Sequence, residues 1–234
     1  MTRRRRPKTL PVPHRVVAPA GPPDPLVALG ESLPLAHTWR CFVHFRSEPG
    51  CYKASLATHG DPMLTIADFW RTFNNMPAPS AAFTPPCQLG VHGRAIKAYS
   101  LFLEGVHPAW EDPVNAVGGE LCCRCYLAPE VLDELWLAVV LACVGGTMPE
   151  CVVGVRGVDN TFRGAPTTQS KIEIWFSPDT PENHVLVRTG LAAALAGGIG
   201  EPFLGGFEIQ THAEKSTMEN KFMSSLKRRT AKRR

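Results

Sequence analysis

Trp110 and Glu111 set a flat aromatic face beside a carboxylate, inside the stretch YSLFLEGVHPAWED from Tyr99 to Asp112. An ionised carboxylate accepts hydrogen bonds and donates none, so it wants donors. An aromatic face attracts a planar cation. The pair therefore suits a planar, cationic, N–H-bearing ligand such as a nucleobase. Tyr99 to Phe102 reads as a strand, Gly105 and Pro108 mark a turn after it, and Pro113 stops regular structure beyond. A tryptophan in such a loop is poorly placed for a core, because loops run over the surface. The plainer alternative stays open on this stretch alone: Trp110 covers the edge of its own core and Glu111 is solvated.

Four more residues extend the set. Tyr52 stands at the turn end of a hairpin strand, Trp175 shares a strand face with Lys171 and Glu173, and Arg156 ends the strand paired with it. Three aromatics, one carboxylate and two cations suit a purine that carries a phosphate chain. Stacking on an aromatic is worth about 1–3 kcal/mol per base, and charge-assisted phosphate contacts add to it. In the competing reading Trp175 is core and Arg156 pairs with a surface acid. No set of residues suits catalysis. The eight histidines lie in no HExxH or triad-like context, and the Gly-rich stretch 197–206 lacks a P-loop lysine pattern. Cys122, Cys123 and Cys125 invite a zinc reading, but neighbours on a strand point to opposite faces and no CxxC pair exists. No metal, cofactor or enzymatic activity is expected.

The elements that must position these residues follow from periodicity and punctuation. Trp39, Phe42, Val43 and Phe45 read as a strand buried largely on one face, and Ser47 to Gly50 as a turn. Cys51 to Ala57 reads as the returning strand. Thr65 with Asp68 opens a helix to Asn75 by a capping-box pattern, and Ile66, Phe69, Trp70 and Phe73 form its apolar stripe. Residues 76–98 read as a long loop. After the Tyr99 strand come a strand from Gly119 to Leu127 and a helix from Pro129 to Gly145-Gly146. Asp133 and Glu134 suit that helix's positive dipole end. Leu132, Leu135, Trp136, Val139, Val140 and Cys143 make its core stripe, and Leu137, Leu141 and Val144 a second one. A helix apolar on two sides is deeply buried or meets a partner. Val152 to Arg156, a loop over 157–170 and Lys171 to Phe176 follow, with Ile172, Ile174 and Phe176 on the face opposite Trp175. The third helix, from Pro181 to Gly197-Gly198, carries Val185, Leu191 and Leu195, and Phe207 to Thr211 is a last strand. Meandering strands with three helices indicate α+β, an antiparallel sheet with helices on one face.

The chain of 234 residues has a net charge of +4 that hides a segregation. Residues 1–8 carry five basic groups and residues 221–234 seven, without an acid, so residues 9–220 hold 13 Lys and Arg against all 21 acids. Residues 1–34 add eight prolines and few aromatics, which suits a disordered arm. The expected organisation is an arm over 1–34, an ordered domain over 35–222 and a basic arm over 223–234. Such arms bind RNA weakly or serve as nuclear import signals. No apolar run approaches the roughly 18–20 residues of a membrane span. Irregularly spaced cysteines without a signal peptide read as intracellular thiols.

From Leu33 to Phe222 the chain resembles the eukaryotic translation initiation factor 4E family, the messenger-RNA cap-binding proteins. The resemblance rests on the order and spacing of LPLAHTW, TIADFW, YSLFLEGVHPAWED, GGELCCRCY, LDELWLAVVLACVGG, VVGVR, KIEIWF and IQTHAE. It implies a curved antiparallel sheet with three helices on its convex face. It also implies that Tyr52 and Trp110 sandwich the 7-methylguanine and that Glu111 accepts from its N1 and N2 groups. Trp175 would meet the N7-methyl, and Arg156 and Lys171 would hold the phosphates. Pro34, Leu35, Ile66, Trp70, Leu137 and Leu141 would bind the scaffold-type factor 4G or the proteins that compete with it. The implied function is cap binding coupled to a scaffold in translation initiation, in the cytoplasm with the nucleus as a second location. The alternatives are a cap-binding repressor and an interaction protein with a weakened pocket.

The chain departs from the family pattern. Tyr52 stands where Trp is usual, and Leu33 replaces a histidine before Pro34. The loop from Arg156 to Lys171 is long, with Arg163 as its candidate cation. Residues 76–98 look inserted, and the segment after His212 is short. These features are similar to divergent protist members such as those of trypanosomatids, which read a more heavily methylated cap.

Overall fold

The computed structural model describes residues 33–46, 55–83, 90–91, 94–161 and 167–213. Tyr52, Arg163 and most of both arms lie outside the described residues. Among the described residues eight strands pair antiparallel throughout: β1 (Pro34–Phe45), β2 (Leu56–Thr65), β3 (Gly90–Val91), β4 (Arg94–Leu103), β5 (Gly119–Cys125), β6 (Val152–Asp159), β7 (Ser170–Phe176) and β8 (Phe207–Thr211). Their order across the curved sheet is β2-β1-β4-β6-β7-β5-β8, with β3 on β4. Five α-helices accompany them among the described residues: α1 (Ile66–Phe73), α2 (Pro79–Phe83), α3 (Pro113–Ala116), α4 (Pro129–Val144) and α5 (Pro181–Leu195). No helix among the described residues is long and apolar enough to cross a membrane.

The sheet separates two faces, as the alternation in β7 requires. Ile172, Ile174 and Phe176 join Cys41, Val43, Tyr99, Leu101, Leu121 and Val155 in one core beneath Trp136, Val139 and Val140 of α4 and Val187, Leu191 and Leu195 of α5. Trp175 belongs to a second, smaller cluster with Phe42, Phe102, Val106 and Val153. Two glycines allow close approaches, one on each face of the sheet. A Cβ at Gly157 would come 3.1 Å from the Trp136 ring, so its absence lets α4 settle onto β6. A Cβ at Gly154 would overlap Phe102, which lies across it on the other face.

The capping box at α1 is present in both directions: Asp68 N–H donates to Thr65 Oγ1, and Thr65 N–H to Asp68 Oδ2 at 3.0 Å. Other expectations change. β1 is buried on both faces from Cys41 to Phe45, with Cys41, Val43 and Phe45 in the main core and Phe42 in the Trp175 cluster, and β2 runs on to Thr65. Residues 76–98 are not one loop. They hold α2 and the first half of β4, and Phe83 packs tilted on Tyr99 with ring centroids 5.6 Å apart. Asp133 fixes α2 by accepting from Ser80 N–H (2.8 Å) and Oγ (2.6 Å), a tertiary role in addition to its place at a helix start. β6 continues past Arg156 to Asp159. On α5, Val185 is exposed and Val187 is the buried residue. The α1 stripe divides, Phe69 buried and Trp70 37% exposed, and Val144 belongs to the core stripe of α4.

Candidate functional site

The loop from Glu104 to Asp112 is held by its own polar groups. Gly105 takes φ +89°, a left-handed turn that favours glycine. Asp112 accepts from the N–H groups of His107 and Val114, each at 3.0 Å, and so closes the loop while capping α3. Asn115, fully buried, donates to the carbonyls of His107 (2.6 Å) and Ala109 (2.9 Å). This clamp presents Glu111 to solvent and sets Trp110, half-buried, against the cluster that contains Trp175. Neither Asp112 nor Asn115 drew notice in the sequence. The Asx-capping pattern of Asp112 before Pro113 was the available signal.

Trp175 is 1% exposed and packs edge-on to Phe102, with centroids 5.2 Å apart at 83°. Its Nε1–H donates to Glu173 Oε2 at 2.9 Å. In this arrangement Trp175 supports the aromatic cluster from within and presents little ring to solvent.

Beyond it the same face turns polar. Register puts Glu120 of β5 opposite Trp175, Arg124 opposite Lys171, and Arg156 of β6 opposite Glu173. Lys171 Nζ lies 2.5 Å from Glu120 Oε1 and 2.7 Å from Glu173 Oε1, all three side chains buried. Burial alone opposes the ammonium charge, but the two carboxylates outweigh it and hold Lys171 above its ordinary range. Arg156 Nη1 lies 3.6 Å from Glu173 Oε2, so the acid facing Arg156 is buried, not a surface group. Its Nη2 donates to His44 Nδ1 at 2.9 Å. Burial first, then the guanidinium charge, push His44 down to about 3, so the imidazole is neutral and free to accept. Arg156 Nε and the hydroxyl of Ser100, its cross-strand neighbour, are buried without a hydrogen-bond partner among the described residues. His212 Nε2 comes within 3.8 Å of Glu120 Oε2 and its ring within 4.3 Å of the Trp175 ring.

The structure thus brings Trp110, Trp175, Arg156 and Lys171 to one face, with Glu111 at its rim. Glu120 and His44 joined this group only through register, while Glu173 was readable from its place between Lys171 and Trp175. Nearby, Arg46 and Lys97 both bind Asp159, through its carboxylate and its carbonyl respectively.

On the helical side, Ile66, Trp70 and Leu141 are exposed apolar groups, and Leu137 is half-buried. Pro34 is exposed and Leu35 packs partly against the core. Leu33 and Leu64 add exposed apolar surface beside Pro34 and Ile66; Ile66 N–H donates to the Leu33 carbonyl at 3.1 Å. Trp70 stands edge-on to Phe69 and Phe73.

The family model described as eukaryotic initiation factor 4E matches residues 34–223. The chain is 30% identical over 158 residues to eukaryotic translation initiation factor 4E-2 of Schizosaccharomyces pombe, covering 68% of this chain and 59% of that protein. It is 27% identical over 173 residues to eukaryotic translation initiation factor 4E-5 of Caenorhabditis elegans, covering 70% and 79%. Among solved structures, the complex of C. elegans eIF4E-3 with the 4E-binding protein Mextli and cap analog aligns with a TM-score of 0.60 at 20% identity, over 79% of this chain and 95% of that one. A schistosome eIF4E complexed with m7GpppA and 4E-BP gives 0.58 at 19%, over 79% and 91%. At these identities the structural likeness carries the fold.

Proposed function

The chain belongs to the eukaryotic initiation factor 4E family, and from that membership we propose that it binds the 7-methylguanosine cap of messenger RNA and couples it to a scaffold-type partner in translation initiation. It is a binding module, not an enzyme, with residues 35–222 as its domain between two basic arms. The carrying observation is Trp110 and Glu111 on a clamped loop, packed on the cluster of Trp175, on the face that also holds Arg156 and Lys171. Methylation makes the base cationic, and an aromatic face attracts such a ring; Glu111 accepts from its N–H edge. Tyr52 is the second aromatic of the sandwich in this reading. The exposed Ile66, Trp70 and Leu141, with Pro34, Leu35 and Leu137, offer an apolar surface suited to an amphipathic helix. The cap analogues and 4E-binding proteins in the solved relatives support both halves of the reading.

Retention on immobilised 7-methyl-GTP, competed by free cap analogue and not by GTP, tests it. Trp110→Ala should abolish retention while the circular dichroism of the fold is kept. Normal retention by Trp110→Ala would show that the ligand lies elsewhere.

A further inference from the structure

The two cations assigned to the phosphate end are already opposed by acids of this same chain. Lys171 is gripped between Glu120 and Glu173, and Glu173 also faces Arg156. The carboxylate side chains are 0% and 6% exposed, so water screens these pairs little. Two positive and two negative charges cancel, and His44, which takes a further Arg156 N–H, is neutral. Outward of these, exposed Arg124 stands opposite Lys171 and exposed Glu208 opposite Cys122, while Arg46 and Lys97 share the one acid Asp159, which leaves a single positive charge on that side. A phosphate approaching Lys171 would meet carboxylate oxygens already on the ammonium. It would have to displace a charge-assisted bond before forming one.

Given the cap-binding reading, we propose that Glu120 and Glu173 stand in for the cap's phosphate groups, so that the site selects the methylated base and draws little affinity from the phosphate chain. Glu120 and Glu173 are then specificity-determining residues that act through the charges of Lys171 and Arg156. The contrast is with a site whose cations are bare, where each added phosphate tightens binding and salt weakens it.

The test is a titration of the full chain with 7-methylguanosine, 7-methyl-GMP and 7-methyl-GTP at low and high salt, followed by tryptophan fluorescence. The wild-type affinities should lie within about tenfold of one another, with little salt dependence. Glu120→Gln and Glu173→Gln keep shape and polarity and release positive charge. Each should raise the affinity for 7-methyl-GTP relative to that for 7-methylguanosine by about tenfold or more. Two results overturn the proposal. One is wild-type protein that prefers 7-methyl-GTP to the nucleoside by about a hundredfold with steep salt dependence. The other is folded Gln variants whose ratio of the two affinities is unmoved. If a Gln variant does not fold, the wild-type series decides. Binding of none of the methylated ligands removes the cap reading and this inference together.

Discussion

Replacing Lys171 by Met would leave Glu120 and Glu173 in a buried site without the ammonium that lies within 2.7 Å of both. Met has similar length and bulk, so packing changes little, and the loss is electrostatic. Glu173 keeps the Trp175 N–H at 2.9 Å and the guanidinium of Arg156 at 3.6 Å. Glu120 lies 3.8 Å from His212 Nε2. Removing one partner of a buried pair costs about 3–5 kcal/mol, because the remaining charge is desolvated and uncompensated. The sign with pH is fixed by Lys171 being held above its ordinary 10.5. Its contribution is complete below that value and decays only as pH rises through the higher folded value. At pH 7 the whole effect is therefore visible. Urea unfolding of wild type, Lys171→Met, Glu120→Gln and the double variant measures it. The double variant should be more stable than the sum of the two single losses predicts, by about 0.5–3 kcal/mol. A loss below about 1 kcal/mol for Lys171→Met, as in a surface pair, or strict additivity, would refute the buried network.

His44 gives a separate pH signature. Its folded value near 3 lies below the ordinary 6.5, so below pH 6.5 the unfolded chain takes up a proton that the folded chain refuses. Between pH 7 and pH 5 this should cost about 2 kcal/mol, a loss absent from His44→Asn in chemical unfolding at the two pH values. Equal pH dependence in both proteins would count against it. Gly154→Ala should drive Phe102 against Trp175 and lower stability by about 1–3 kcal/mol, read by thermal unfolding; no change would mean that Phe102 moves aside freely. Trp70→Ala, on an exposed face, should alter stability by about 1 kcal/mol or less. It should keep cap retention and release the co-purifying partner; an unchanged partner profile would move that surface elsewhere.

Local chemistry was legible in the sequence, and long-range register was not. The Thr65–Asp68 box and the alternation from Lys171 to Phe176 depend on neighbours a few residues apart, and both are present as read. Trp110-Glu111 stood out because a tryptophan in a proline-flanked loop is hard to explain as core. Glu120 beside Lys171, 51 residues apart, could not be read, because it requires knowing that β5 pairs with β7 and in which register. The α2 turn over Pro79–Phe83 was hidden in an Ala- and Pro-rich stretch, and its anchor, Asp133, is 53 residues away. The Trp70 stripe was read by period alone, which does not reveal that Phe69 and Phe73 pack on the core while Ile66 and Trp70 stay exposed.

The strand order carries a consequence for how the chain folds as it is made. β5 appears midway along the chain, yet its two neighbours are β7 and β8, which emerge only with Ser170 and Phe207. Until then Leu121, Cys122, Cys123 and Cys125 sit on a strand with both edges unsatisfied, open to pairing with another nascent copy. β1 finds β2 early, but β4 closes against β6 only after α4 has been synthesised. The half carrying Trp110 can thus form on the ribosome ahead of the half carrying Lys171 and Trp175, and β8, the last strand among the described residues, is the one that covers the outer edge of β5.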